Sequence, residues 1–226
     1  ASLTSLIAVF IGYPHLNDFD QGLSALVQEH RSAWLDEVMV RVTQLGEFKK
    51  MLVASAVFTV LLLLARQWRH AVFVAATLAG AALINTGTKL FFARGRPEIL
   101  TEPLTSFSMP SGHASGAFAF FLALAVLAGR GQPTRLRLTW MLLGCIPAAF
   151  IALSRVYLGA HWPTDILAGT LLAMTVCAFS LTACQYRSPL PAMPQKTWWL
   201  LLPVLVAVLS FITLSGTSHA LLRYAY

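Results

Sequence analysis

Apolar residues in this chain arrive in blocks about as long as a lipid bilayer is thick, and this restricts the folds open to it. A helix crossing the hydrocarbon needs about 20 mostly apolar residues, with a usable range near 17–25. Blocks of this kind lie near residues 51–66, 71–89, 112–129, 138–153, 164–184 and 198–214. The first is brief, but Lys49, Lys50 and Arg66 lengthen it by snorkelling to the interface. Pro147 and Pro203 fall inside blocks, where neighbouring helices re-satisfy the carbonyls that a kink frees. Of the 226 residues 57% are hydrophobic and only 11% charged, about half the charge of a soluble domain. The expected fold is all-α: a polytopic transmembrane helix bundle with a six-span catalytic core, amphipathic interfacial helices and one extra C-terminal span. The corresponding regions are 1–50, 51–184 and 185–226.

Residues 17–46 differ from the blocks. Phe19, Leu23, Leu26, Val27, Trp34, Leu35, Val38, Met39 and Val42 recur at helical spacing among polar residues. This pattern predicts two amphipathic helices broken near His30 to Ser32, lying either in the membrane interface or against the bundle as cover. The run 3–12 is too short for a full span and lacks the basic leader of a signal peptide. With the extra run 198–214, it raises the expectation of a domain taken from a longer fused membrane protein.

Charge sorts the loops. Those near 66–70, 130–137 and 185–197 carry Arg66, Arg69, Arg130, Arg135, Arg137, Arg187 and Lys196 and no acid, while every Asp and Glu falls on the opposite side. The positive-inside rule places the basic loops in the cytoplasm and the other end outside, which is the periplasmic face of a bacterial inner membrane. The net charge of +7 then suits anionic lipid headgroups. No basic tract with interleaved aromatics points to nucleic acid. Cys145, Cys177 and Cys184 sit in apolar runs without metal-ligand spacing and read as buried thiols.

Against this apolar background three stretches stand out: 89–97 (KLFFARGRP), 110–113 (PSGH) and 154–165 (SRVYLGAHWPTD). Charges beside the hydrocarbon are costly, roughly 2.5–3.5 kcal/mol or more each, and mark functional sites. Lys89, Arg96 and Arg155 can surround one phosphoryl group, Arg as a planar fork and Lys as a compact charge. Arg94 reads instead as a snorkelling interface cation. Ser111 and Gly112 offer a hydroxyl and an unhindered amide at a helix start, where anions bind. His113 stands ready as an acid to protonate a leaving alkoxide. His161 and Asp165 are four residues apart and share a helical face. A carboxylate against one imidazole nitrogen fixes the tautomer and raises the nucleophilicity of the other. Thr164 or His161 is the expected cap of the following helix, with Pro163 in its first turn.

Lys-x6-Arg-Pro, Pro-Ser-Gly-His and Ser-Arg-x5-His-x3-Asp, complete and in this order, resemble the type 2 phosphatidic acid phosphatase superfamily. The likeness covers 89–165 in detail. It implies a metal-independent two-step hydrolysis that needs no cofactor. In this scheme His161 attacks phosphorus to form a phosphohistidine, Asp165 orients it, and His113 protonates the leaving group. Lys89, Arg96, Ser111, Gly112 and Arg155 hold the phosphoryl oxygens. Giving the nucleophilic role to His161 rather than His113 rests on this resemblance, supported by Asp165. The chain departs from many relatives in having Glu98 after Arg-Pro, with Glu102 nearby.

The expected activity is release of phosphate from a membrane lipid phosphomonoester or diphosphate. Phosphatidic acid, phosphatidylglycerol phosphate, undecaprenyl diphosphate and lipid A phosphate are the candidate substrates. A lipid-to-lipid phosphotransferase would use the same residues. A non-catalytic transporter or flippase calls for charges near the bilayer midplane, whereas these motifs sit at span ends on one side.

Overall fold

The computed structural model describes residues 14–99 and 104–214. The expected partial span 3–12 and Glu102 lie outside the described residues. Among the described residues the secondary structure is helical throughout: α1 (Pro14–Glu29), α2 (Ala33–Leu45), α3 (Phe48–Leu64), α4 (Trp68–Phe92), α5 (Gly112–Ala128), α6 (Thr134–Tyr157), α7 (Pro163–Gln185) and α8 (Gln195–Leu214). Four helices, α4, α6, α7 and α8, are long and apolar enough to cross a membrane. α3 and α5 have 17 residues each, about 25 Å at 1.5 Å per residue.

α5 is the hub. It is apolar on every face, and a helix apolar all round belongs in a core. It packs against α3, α4, α6 and α7. Ala114, Ala117, Ala119 and Ala123 are buried on it, and such small residues let neighbouring backbones approach closely where lipid offers no hydrophobic drive. Phe120 meets Phe58 of α3 edge to face, with ring centroids 6.1 Å apart. α6 instead turns Leu138, Leu142, Ile146 and Leu153 outward, an apolar stripe that suits acyl chains. α8, the extra span, packs on α2 and α3.

The basic loops meet at one end. Arg69 donates to the carbonyls of Cys184, Ser188 and Pro189, and Arg130 to that of Leu190. His70 hydrogen-bonds the carbonyl of Pro191. The three stretches singled out in the sequence all lie at the opposite end, in the connections between α4 and α5 and between α6 and α7.

α1 and α2 break where expected, at His30 to Ser32. They lie on the bundle, α1 against α6 and α7, and α2 against α6 and α8. Their inward faces include polar groups: Asp20, Ser24, Thr43 and Gln44 are buried, while Phe19, Leu26 and Trp34 are exposed. The pair covers the bundle and leaves these three apolar side chains exposed. Arg31 clasps Asp36 at 2.9 and 3.0 Å, and Tyr157 of α6 donates to Asp36 at 2.8 Å. Burial would raise the Asp36 carboxyl, but hydrogen bonds from Arg31 and Tyr157 and the Arg31 charge outweigh it and hold the group below its usual range.

Candidate active site

Two local devices build the site. At the end of α6 the chain turns through Gly159, whose φ of +68° is left-handed and comes without penalty only to glycine. The turn brings the amides of Ala160 and His161 back onto the carbonyl of Arg155, at 2.9 and 3.2 Å. α7 then starts at Pro163, and Asp165 reaches back to accept from the Trp162 amide at 2.9 Å. The cap position is occupied by Trp162, not by the expected Thr164 or His161. The Thr164 amide is satisfied from another helix, by Oδ1 of Asp20 at 2.9 Å.

His161 is 2% exposed and Asp165 fully buried. Nδ1 of His161 lies 3.3 Å from Oδ2 of Asp165. Nε2 lies 3.1 Å from Nη1 of Arg96, a group that can only donate. Nε2 therefore carries the lone pair and Nδ1 the proton. Burial, followed by the charges of Arg96, Arg155 and Lys89, pushes the imidazole well below its ordinary pKa of 6.5, so it is neutral at physiological pH.

Arg96 is held by its surroundings. Nε donates to the Ser106 carbonyl at 2.7 Å, Nη1 to that of Ala160 at 2.6 Å and Nη2 to the Ser106 hydroxyl at 2.9 Å. Lys89, at the end of α4, donates to the carbonyls of Phe107 and Ser108. Arg155 is buried and donates to Thr43 Oγ1 at 2.9 Å. Lys89, Arg96, Gly112, His113, Arg155 and His161 line a single cavity of about 1310 Å³. Ser111 is brought to the same place but plays a different part. It is buried outside the cavity lining, its hydroxyl caps α5 by accepting from Ala114, and its amide donates to the Asp165 carbonyl at 3.0 Å.

The structure corrects the reading of Arg94. Far from snorkelling alone, it donates to Asp165 Oδ1 at 2.9 Å, to Thr164 Oγ1 at 2.7 Å and to Asp20 Oδ2 at 2.6 Å. Asp20 and Thr43 lie outside the three motifs, and Arg94 and Thr164 lie inside them but read as an interface cation and a helix cap. Asp20 did leave a trace: with Leu23, Ser24 and Val27 it forms an i, i+3, i+4, i+7 row, so a carboxylate stands in a half-apolar stripe. Asn85 of α4 donates to the Pro110 carbonyl and to Ser115, which ties the second motif to α4.

From the polar end the cavity extends along α3 and α4 between Met51, Leu52, Val60, Leu78, Ala79 and Ala82. Its α4 lining runs from Ala75 to Lys89, about 20 Å of helix. One leaflet of hydrocarbon is about 15 Å deep. The cavity is also larger than the roughly 300–1,000 Å³ of common small-molecule sites.

The model of the PAP2 superfamily matches residues 70–189. A phosphatidylglycerophosphatase B of Bacillus subtilis is 27% identical over 175 residues, covering 75% of this chain and 85% of that protein. An undecaprenyl-diphosphatase of Sulfolobus acidocaldarius is 29% identical over 189 residues, covering 79% and 85%. Among solved structures, a transmembrane PAP2-type phosphatidylglycerolphosphate phosphatase from Bacillus subtilis superimposes with a TM-score of 0.72. It shares 24% identity over 81% of this chain and 92% of that one.

Proposed function

The chain belongs to the PAP2 superfamily, and on that premise we propose that it hydrolyses a phosphomonoester or diphosphate of a membrane lipid and releases inorganic phosphate. It is an integral membrane phosphatase. The lipid is of the phosphatidic acid, phosphatidylglycerol phosphate or undecaprenyl diphosphate type, and the names of the relatives support the last two.

One observation carries the reading: a neutral His161, paired through Nδ1 with Asp165, offers Nε2 in a cavity ringed by Lys89, Arg96 and Arg155. Nε2 attacks phosphorus and forms a P–N bond, and the P–O bond to the lipid breaks. His113, in the cavity lining and protonated once the phosphoryl anion offsets the surrounding cations, gives its proton to the departing oxygen. Water then attacks the phosphohistidine, His113 takes a proton from it, and phosphate leaves with Nε2 restored. The three cations neutralise charge on the equatorial oxygens, where phosphoryl transfer needs it. Ser111 acts by capping α5 and Gly112 by lining the cavity. The apolar limb along α3 and α4 takes the lipid chain. The distribution of basic loops supports an outward-facing site.

The test is phosphate release from purified protein in detergent, across a panel of these lipids, with His161→Ala as control. The variant is expected to be inactive and folded. Radiolabelled phosphate trapped on the wild type in an acid-labile, base-stable linkage supports the phosphohistidine. Wild-type turnover by His161→Ala removes the nucleophile assignment. Phosphate appearing on an added lipid acceptor in place of free phosphate identifies transfer.

A further inference from the structure

α1 belongs to the amphipathic cover, and it delivers a carboxylate to the heart of the site. We infer that Asp20 is a positioning residue for the His161–Asp165 pair, acting through Arg94. The inference rests on the proposed role of His161.

Asp20 is 1% exposed. Its Oδ1 accepts from the Thr164 amide at 2.9 Å, and its Oδ2 accepts from Arg94 at 2.6 Å and from the Thr164 hydroxyl. The guanidinium of Arg94 thus forks between two carboxylates, one from α1 and one from α7. Trp162 lies against it, with the ring centroid 5.7 Å from Cζ. Thr164 Oγ1 accepts from Arg94 and donates to Asp20, so the cluster closes on itself.

Two consequences follow from geometry and charge. First, Arg94 occupies Oδ1 of Asp165, which leaves Oδ2 to meet Nδ1 of His161. Second, an arginine paired with Asp165 alone would cancel its charge. A cancelled carboxylate stabilises the cationic imidazole of a phosphohistidine poorly. With Asp20 present, the trio of two carboxylates and one guanidinium carries a formal charge of −1 behind His161. The other charged or titratable groups facing His161 are Arg96, Arg155, Lys89 and His113, and Asp165 is the acid in direct contact. Against three cations, the surplus negative charge of the trio is the counterweight that the nucleophile needs.

The experiment uses the full chain in detergent and whichever of phosphatidic acid or undecaprenyl diphosphate the wild type turns over faster. Asp20→Asn keeps the shape and can still accept from Thr164, but it loses the charge. Its kcat is expected to fall about tenfold, as for partners one step behind a metal-bound histidine, with KM within about twofold because the phosphate cradle is untouched. Loss of a negative charge disfavours protonated His161, so the acid limb of the kcat/KM profile moves to lower pH. Arg94→Gln removes a positive charge from the same trio and must move that limb the other way. This gives a second reading should Asp20→Asn fold poorly. Asp18→Asn, on the exposed face of the same helix, should match wild type. A purely structural Asp20 would lower thermal stability and leave both limbs in place. A folded Asp20→Asn with wild-type kcat and an unmoved limb overturns the inference. So does an Arg94→Gln limb that stays put or moves down. If His161→Ala proves active, the reading of the nucleophile fails. If His161→Ala is dead while Asp20→Asn is normal, only the role of Asp20 fails.

Discussion

Asp165 meets His161 through a single carboxylate oxygen, Oδ2 to Nδ1 at 3.3 Å, and spends the other on Arg94 at 2.9 Å. This division sets the tautomer of His161 and aims its lone pair at Arg96 and the cavity.

Asp165→Asn therefore presents an amide where the imidazole must donate, and the wrong tautomer is favoured. We expect kcat to fall by about 10³-fold or more, as for the equivalent change in a hydrolase triad, with KM little altered. Steady-state kinetics on a lipid phosphate check this. A drop confined to KM would count against an orienting role.

The pH dependence follows from His161. Its pKa lies well below 6.5 because burial and the neighbouring cations disfavour the charged form. The reactive neutral form thus persists into mild acid, and the acid limb of kcat/KM should lie below pH 6.5. Between pH 6.5 and the folded value, the unfolded chain binds a proton that the folded chain does not. The contribution to stability is complete above pH 6.5 and declines below it. Arg96→Ala removes one cation and should move the acid limb upward. A downward move would contradict the electrostatic assignment.

Gly46, between α2 and α3, has no room for a side chain. An added Cβ would sit 2.3 Å from Ile151 and 2.9 Å from the ring of His113. Gly46→Ala should cost about 1–3 kcal/mol through overpacking and displace His113, so that activity falls further than stability accounts for. Thermal melts beside kcat values on the same preparations separate the two.

Ala79 lines the apolar limb of the cavity. Ala79→Trp fills part of it. For long-chain lipid phosphates KM should rise roughly tenfold, about 1.4 kcal/mol of lost apolar contact, while short-chain analogues are hydrolysed nearly as by wild type. Equal effects on both chain lengths would place the lipid tail elsewhere.

Asp36 pairs with Arg31 inside the α1–α2 hairpin and anchors the hairpin to α6 through Tyr157. Its carboxyl is held below the usual 3.8, so its stabilising effect is full above that pH and is lost as pH falls through the folded value. Tyr157→Phe removes one hydrogen bond to this carboxylate and should cost about 0.5–1.5 kcal/mol, read as a lower melting temperature in detergent. An unchanged melting temperature would mean that the hairpin is held by other contacts.

The helices were legible in the sequence because hydrocarbon leaves the backbone no alternative: an apolar block of span length must satisfy its own amides. The break at His30 to Ser32 was legible from helical periodicity. His161 with Asp165, and Lys89 with Arg96, were legible because their partners lie within one turn or one connecting loop, where spacing fixes proximity. Arg94 was misread for the opposite reason. Its partners Asp165 and Asp20 are 71 and 74 residues away in the chain, and one-dimensional spacing carries no information about such pairs. Ser111 was recognised as a helix-start residue, and its hydroxyl caps α5 locally, but only the packing of α5 against α7 brings its amide to the Asp165 carbonyl. The inward polar face of α1 and α2 was likewise hidden, since periodicity marks which residues share a face but not what that face meets. Local chemistry and bilayer length thus determined the helical bundle and the reactive residue types. Tertiary packing alone decided that α1 would bring Asp20 to Arg94, because only the folded chain takes the Asp20 carboxylate from water and sets it against the Arg94 guanidinium and Thr164.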